Sequence, residues 1–321
     1  MNERTPTIAV TVAEIAEITP LVRRFRLEPV DGAPLPAFAG GAHVILHMRD
    51  GDIVRRNSYS LMSSPTQSSH YAISVRRDDG GRGGSRYLHG AVEVGTILHI
   101  GHPVNLFPIA RHAKKHLLIA GGIGITPILA MCEQLFRDRL IFELHYANRS
   151  REQAAYTQDL VARYDNRVHL YHSDDGERIP LDQLLRRQPL GTHLYVCGPA
   201  RMIESILARA QELGWPPPSL HCERFAAPVI GRPYDVQLAR TGRTVRVGSD
   251  QSMLEAIEAD GVDAPYLCRG GACGQCETGV LACEGELLHA DHFLTPEEKA
   301  SGTKVMLCVS RFSGRSLVLD L

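Results

Sequence analysis

The chain has 321 residues, 44% of them hydrophobic and 22% charged, with a formal net charge of −1. That composition excludes a disordered, collagen-like or low-complexity chain and leaves room for two or three domains, each with its own core. The near-zero charge gives no electrostatic reason to expect a nucleic acid or an anionic membrane as partner.

The first seven residues, Met-Asn-Glu-Arg-Thr-Pro-Thr, lack the basic and then apolar regions of a signal peptide. Residues 7–15, 22–28, 42–48, 53–62, 70–76 and 96–101 read as strands, rich in Val, Ile, Leu and Tyr and divided by Gly, Pro and Asp. One short helix is expected near 85–90. Evenly spaced strands of this kind predict a small antiparallel barrel over 1–109.

From His116 the rhythm changes. Strands are expected at 116–121, 140–147, 167–172, 193–197 and 219–224, and helices at 127–137, 151–164 and 200–213. Alternation of this kind predicts an α/β domain with a parallel sheet over 110–226. The apolar run from His116 to Cys132 is broken by Gly121, Gly122, Gly124 and Pro127. It is shorter than the roughly 20 residues a membrane helix needs. The expectation is a soluble, cytoplasmic protein. Residues 227–233, with two prolines and a glycine, read as a linker. A third domain, 234–321, opens with strands at 234–239 and 243–248 and a helix at 252–259.

Eight cysteines in a chain this long do not form a disulfide scaffold. Three are scattered over the first 222 residues, and five fall between 268 and 308. Cys268-Arg-Gly-Gly-Ala-Cys273-Gly-Gln-Cys276, followed by Cys308, has the C-x4-C-x2-C…C spacing of a plant-type [2Fe–2S] site. Gly270, Gly271 and Gly274 let the backbone wrap closely, so that N–H groups face the sulfurs. A structural zinc site usually takes two short C-x2-C knuckles, and the single distant Cys308 does not suit it. Cys283 falls outside the spacing and reads as a small buried residue. His289 and His292, three apart, read as a loop pair.

Two glycine-bearing turns follow strands of the α/β domain. In Gly121-Gly122-Ile-Gly124-Ile-Thr126-Pro127, glycines allow close approach of a ligand, Thr126 is expected to cap the helix, and the exposed N–H groups suit a pyrophosphate. The spacing is not that of a Rossmann G-x-G-x-x-G. Cys197-Gly198-Pro199-Ala-Arg-Met202 repeats the strand–turn–helix form, and two such loops predict a binding crevice for a nicotinamide. Cys197 has two readings, a core thiol or a thiol beside the nicotinamide.

On the barrel, Arg55-Arg56-Asn57-Ser58-Tyr59-Ser60 offers a phosphate partner, an aromatic face and a hydroxyl, which are the needs of a bound flavin. Arg76 and the run Gly80 to Gly83-Gly84-Ser85 entering the short helix read as a second phosphate cradle.

These segments resemble the phthalate dioxygenase reductase family, within the wider ferredoxin–NADP reductase superfamily, over nearly the whole chain. The resemblance implies a flavin-binding antiparallel β-barrel, an α/β parallel-sheet nicotinamide domain and a C-terminal β-grasp plant-type ferredoxin domain, so a multidomain α+β chain. The family's flavin motif is Arg-x-Tyr-Ser. Tyr59 and Ser60 match it, Asn57 stands at the Arg position, and Arg56 lies one residue earlier. The resemblance further implies that Tyr59 packs on the isoalloxazine, that Ser60 lies near its N5, and that Gly84 and Ser85 meet the phosphate of FMN. It also implies that Glu223 and Phe225 close the flavin site and that Arg149 and Ser150 touch the adenosine ribose. The residues alone leave NADH and NADPH open, and the family habit favours NADH.

A nicotinamide gives two electrons at once and an iron–sulfur cluster accepts one, so a flavin between them is the chemical requirement. The reading is therefore a reductase that passes electrons from NADH through FMN and a [2Fe–2S] cluster to a Rieske-type oxygenase of an aromatic-ring dioxygenase or demethylase system. The competing readings are a non-catalytic electron carrier or redox sensor, and a flavin reductase acting on small acceptors.

Overall fold

The computed structural model describes residues 7–51, 53–225, 228 and 230–321. Parts of the expected linker, residues 227 and 229, lie outside these, as do the chain's first six residues. The described chain forms two compact units, one ending at Arg224 and the other running from Phe225 to Leu321.

The first unit begins with β1 (Ile8–Thr19), β2 (Val22–Pro29), β3 (Ala42–Asp50), β4 (Ile53–Ser60) and β5 (Tyr71–Arg76). The helix α1 (Gly84–Gly90), then β6 (Ile97–Ile100) and β7 (Val104–Asn105), complete this part. All pairings are antiparallel, in the order β4-β3-β6-β1-β2-β5, with β7 added to β3. Side chains of one parity, such as Val44, Leu46 and Met48 on β3 and Phe25 and Leu27 on β2, point to a common core. The two edges meet, because the Met62 amide just past β4 donates to the Ala72 carbonyl on β5 at 2.9 Å. The sheet thus curls into the barrel that its strand spacing predicts.

The rest of this unit is an α/β layer structure. It comprises β8 (Lys115–Gly121), α2 (Ile125–Arg137), β9 (Phe142–Asn148), α3 (Thr157–Tyr164) and β10 (Val168–His172). After these come α4 (Leu181–Arg186), β11 (Thr192–Cys197), α5 (Ala200–Glu212) and β12 (Leu220–Glu223). The strands are parallel in the order β10-β9-β8-β11-β12. Neighbouring residues of β8 enter different cores, Leu118 and Ala120 with α2 and α3, Leu117 and Ile119 with α4 and α5. Burial on both faces explains why β8 reads as an unbroken apolar run.

The helix expected over 151–164 is shorter than its sequence pattern implies. Helical structure starts only at Thr157, because Tyr156 has a left-handed backbone (φ 64°) that a helix of L-residues cannot absorb. The short helix α4 gave no periodic signal that the sequence reading used.

The second unit holds β13 (Tyr234–Leu238), β14 (Arg243–Val247), α6 (Met253–Ala259), β15 (Glu277–Leu288), α7 (Pro296–Ser301), β16 (Lys304–Met306) and β17 (Arg311–Leu319). The sheet order is β14-β13-β17-β15-β16, with β13 and β17 parallel and the other pairs antiparallel. The apolar face of α6 packs on this mixed sheet in the β-grasp manner. A capping box starts α6: the Ser252 hydroxyl accepts the Glu255 amide at 3.1 Å and Glu255 Oε2 accepts the Ser252 amide at 2.9 Å. Arg311, fully buried, donates to the carbonyls of Gln251, Arg232 and Gly248 at 2.7–3.0 Å. The expected linker is therefore tied to this unit at its C-terminal end. Among the described residues no helix is long and apolar enough to cross a membrane.

Candidate functional site

The loop between α6 and β15 carries three of the expected cluster ligands, and Cys308, after β16, carries the fourth. Its path needs left-handed backbone at Arg269, Gly271 and Gly274 (φ 53°, 71° and 79°). Gly271 and Gly274 have a second reason to be glycine, since a methyl group on either would lie 2.8 Å or less from Val309 or the Phe293 ring. The loop turns amides toward sulfur: the Gly270 N–H donates to Cys268 Sγ at 3.3 Å.

Hydrogen bonds from the Cys273 and Cys308 thiols pull the Cys268 thiol well below its ordinary range, and the Ala272 and Gly270 amides add to the effect against the opposing burial. A bond from Cys308 lowers Cys276 in the same way, while Cys273 and Cys308, as donors, are raised. Cys268 is thus linked to Cys273 and Cys308, and Cys308 to Cys276. No disulfide joins any of the eight cysteines. Four soft sulfur donors brought together by two segments, one of them met by a backbone N–H, fit an iron–sulfur cluster. Cys283 is on β15, with its thiol turned to the Gly285 carbonyl at 3.6 Å.

In the α/β sheet, chain order reverses between β8 and β11. A crevice opens at such a switch point, beyond the C-terminal ends of the strands. Both expected loops stand there and press on each other. A methyl group on Gly124 would lie 2.3 Å from the Cys197 carbonyl oxygen, one on Gly198 3.1 Å from the Gly121 backbone, and one on Gly121 2.6 Å from Met202 Sδ and 2.8 Å from Pro199 Cδ. Gly122 supplies a left-handed turn (φ 53°), and the Tyr146 hydroxyl holds its carbonyl at 3.1 Å.

Thr126 does not cap the helix. A 3-10 turn at Gly122–Gly124 runs into α2, so Thr126 is already helical and its hydroxyl donates to the Ile123 carbonyl at 3.0 Å. Cys197 is fully buried, and burial, with Glu223 nearby, pushes its thiol up, so it is neutral. Arg149 and Ser150 follow β9, and Arg149 is exposed with Asp174 at 3.7 Å.

On the barrel, β4 alternates. Tyr59, Asn57 and Arg55 lie opposite Val44, Leu46 and Met48, on the core-facing side, while Ser60, Ser58 and Arg56 share the other face with His43, Ile45 and His47. Arg55, not Arg56, therefore shares the face of Tyr59. The Arg55 guanidinium packs over Gly83 (φ 100°), where a methyl group would lie 3.2 Å from it, and Asn57 packs over Gly84 at 2.3 Å by the same measure. The strand's period of two was the available signal for Arg55. Burial pushes the Tyr59 hydroxyl up to about 12, and it accepts from Asn57 Nδ2 at 3.3 Å. The Ser85 hydroxyl accepts the Asp78 amide at 3.0 Å, and Arg76 is exposed at the end of β5.

The other face of β4 reaches the end of the parallel sheet. The Ser60 hydroxyl donates to Glu223 Oε2 at 3.4 Å, and burial raises the Glu223 carboxyl to about 8. The half-buried Glu223 carboxyl thus meets the Ser60 hydroxyl at the same sheet end as both glycine loops. Phe225, two residues on, belongs to the second unit and is 50% exposed. Sequence reasoning missed Tyr156, whose hydroxyl meets the Ser74 hydroxyl of β5 at 2.5 Å.

Residues 104–220 match the family profile described as dimethylamine monooxygenase subunit DmmA-like, N-terminal domain, and residues 236–313 match the 2Fe-2S iron-sulfur cluster binding domain. The solved structure of phthalate dioxygenase reductase superposes with a TM-score of 0.89 at 32% identity, covering 98% of each chain. The chain belongs to the phthalate dioxygenase reductase family. The heme-dependent oxidative N-demethylase beta subunit of Ectopseudomonas mendocina is 46% identical to it, over 97% of this chain and 98% of the relative. The carnitine monooxygenase reductase subunit of Escherichia coli is 44% identical, over 97% and 98%. As a member of this family the chain is an oxidoreductase with a [2Fe–2S] domain and a ferredoxin reductase-like fold for flavin and nicotinamide. Its relatives are reductase subunits that work with an oxygenase component.

Proposed function

We propose that this chain is the reductase component of a Rieske-type oxygenase system, an aromatic-ring dioxygenase or an O- or N-demethylase, with NADH as donor and FMN as its flavin. The observation that carries the reading is the meeting of Ser60 on β4 with Glu223 at the end of β12. It sets a barrel hydroxyl at the sheet end where the 121–124 and 197–202 loops make their crevice.

When bound, the flavin supplies the change from two-electron to one-electron transfer that the nicotinamide and the cluster require. The chain's own residues do the rest. Tyr59 and Ser60 hold the flavin ring and Arg55 or Arg56, with Asn57, Ser58, Arg76, Gly83, Gly84 and Ser85, its tail. Gly121, Gly122, Gly124, Gly198, Pro199 and Met202 shape the bed of the nicotinamide dinucleotide, and Arg149 and Ser150 meet its adenosine ribose. Glu223 is neutral below pH 8 and offers a carboxyl rather than a carboxylate to the ring edge. Cys197 lies beneath the nicotinamide, and Cys268, Cys273, Cys276 and Cys308 hold the cluster. The cytoplasm, where reduced nicotinamide is made and thiols stay free, suits this set.

A heme-containing partner is the second reading, favoured by the 46% identical relative whose name is heme-dependent. The anaerobic visible spectrum, before and after one equivalent of NADH, tests the path. Flavin and cluster bands that bleach within the mixing time, with FMN released by acid, support it. Cluster bands unchanged by NADH overturn it and leave an electron carrier. Stopped-flow mixing of the reduced protein with its purified oxygenase then shows whether Rieske or heme bands take the electrons.

A further inference from the structure

Behind the cysteine loop runs the segment 289–294, between β15 and α7, which contains the His289/His292 pair. Its contacts reach both parts of the ligand set. On the loop side, the His292 amide donates to the Gly271 carbonyl at 3.0 Å. A methyl group on Gly271 would lie 3.0 Å from the Asp291 Cα, so the loop rests directly on this backbone. On the other side stands Ser310, two residues past Cys308. Its hydroxyl donates to Asp291 Oδ1 at 3.4 Å and accepts the Ala290 amide at 3.5 Å.

The Asp291 side chain has no solvent exposure. Oδ2 accepts the Leu294 amide at 2.9 Å, and Lys299 Nζ stands 3.6 Å from that oxygen and 2.6 Å from the Asp291 carbonyl. Burying a carboxylate is costly unless it is paired and hydrogen-bonded. The plain reading is a turn residue that caps the Leu294 amide. That task needs one bond, and Asn or Ser would do it. It explains neither the bond to Ser310 nor the Lys299 ammonium held beside the carboxylate.

We propose that Asp291 is a positioning residue for the [2Fe–2S] cluster. Through Ser310 and the 271–292 backbone contact it holds Cys308 and the Cys268–Cys276 loop in one geometry. With Lys299 it also sets the charge balance against which the cluster accepts its electron. This goes beyond the proposed electron path and depends only on the cluster domain, so failure of NADH or FMN binding leaves it intact.

The test is an anaerobic redox titration of the full-length holoprotein with dithionite and mediators, following the EPR signal of the reduced cluster in wild type, Asp291→Asn, Lys299→Met and Ser310→Ala. Removing the anion favours the added electron and removing the cation opposes it, so the two charge variants should shift in opposite directions. The expected size is about tenfold in the reduced-to-oxidised ratio at fixed potential, about 59 mV for one electron. Ser310→Ala should alter the EPR anisotropy at unchanged iron content. Equal potentials in wild type and Lys299→Met, or shifts of one sign in both charge variants, would overturn the proposal, as would an unchanged EPR line shape in Ser310→Ala. If Asp291→Asn does not fold, half-exposed Lys299 and the single hydroxyl of Ser310 decide the matter through the other two variants.

Discussion

The Ser60 hydroxyl donates to Glu223 Oε2 at 3.4 Å across 163 residues of sequence, joining a barrel strand to the last strand of the parallel sheet. Burial raises the carboxyl from 4.5 to about 8, and the bond from Ser60 only partly opposes it. A carboxyl with a raised folded-state pKa gives its stabilisation in full below its unfolded value and loses it as pH rises through the folded one. The first unit should therefore lose stability between about pH 4.5 and 8 on account of Glu223. Urea midpoints at pH 5, 7 and 9 check this. Glu223→Gln should flatten the slope, and an identical slope in the variant would show that Glu223 is not the group responsible.

The contact between the two glycine loops predicts a graded response to added methyl groups. Gly124→Ala would put Cβ 2.3 Å from a backbone carbonyl that cannot step aside, at a cost of about 1–3 kcal/mol. Gly122→Ala meets nothing within 4 Å and bears only its left-handed backbone, at about 1–2 kcal/mol. The Gly124 variant should also weaken NADH binding more than the Gly122 variant. Titration of NADH against flavin fluorescence ranks them, and the reverse order would contradict the packing of these loops.

Tyr156 and Ser74 pair their hydroxyls between the nicotinamide layer and the barrel, part-buried and 2.5 Å apart, with Tyr156 held at φ 64°. Tyr156→Phe should cost about 1–2 kcal/mol, because the Ser74 hydroxyl is left without this partner. Thermal or urea unfolding of Tyr156→Phe, Ser74→Ala and the double variant gives the coupling, expected to be at least about 0.5 kcal/mol. Strict additivity would mean that the two hydroxyls act separately.

Beside the first cluster ligand, buried Arg269 pairs with Glu258 through Nη1 and Nη2 and stacks over the Tyr266 ring, 3.7 Å from its centroid. Arg269→Ala should destabilise the second unit by about 3–5 kcal/mol, since it strands a mostly buried carboxylate. Arg269→Lys should recover only part of this, because an ammonium cannot make the forked pair. Loss of cluster absorbance under a ferrous chelator follows the effect. Equal cluster lifetimes in wild type and Arg269→Ala would be the contrary result.

Much about this protein is a matter of spacing along the chain. The C-x4-C-x2-C run, the two strand–turn–helix loops and the change from period-two strands to alternating strands and helices each lie within a short window, where backbone geometry maps sequence distance onto space. The order of barrel, α/β layer and ferredoxin follows from those windows. Tertiary structure decided what depends on facing and on long-range pairing. Alternation along β4 already puts Arg55 on the side of Tyr59, but only the register of β3 with β4 sets that side beside Val44, Leu46 and Met48. The helix after β9 starts late at a left-handed Tyr156, whose hydroxyl meets Ser74, a residue 82 positions away. Asp291 looks like an ordinary loop carboxylate until the fold brings Ser310 and Gly271 against it. Local spacing carries no record of such partners, because the free energy that selects them comes from burial and hydrogen bonding between segments that only folding brings together.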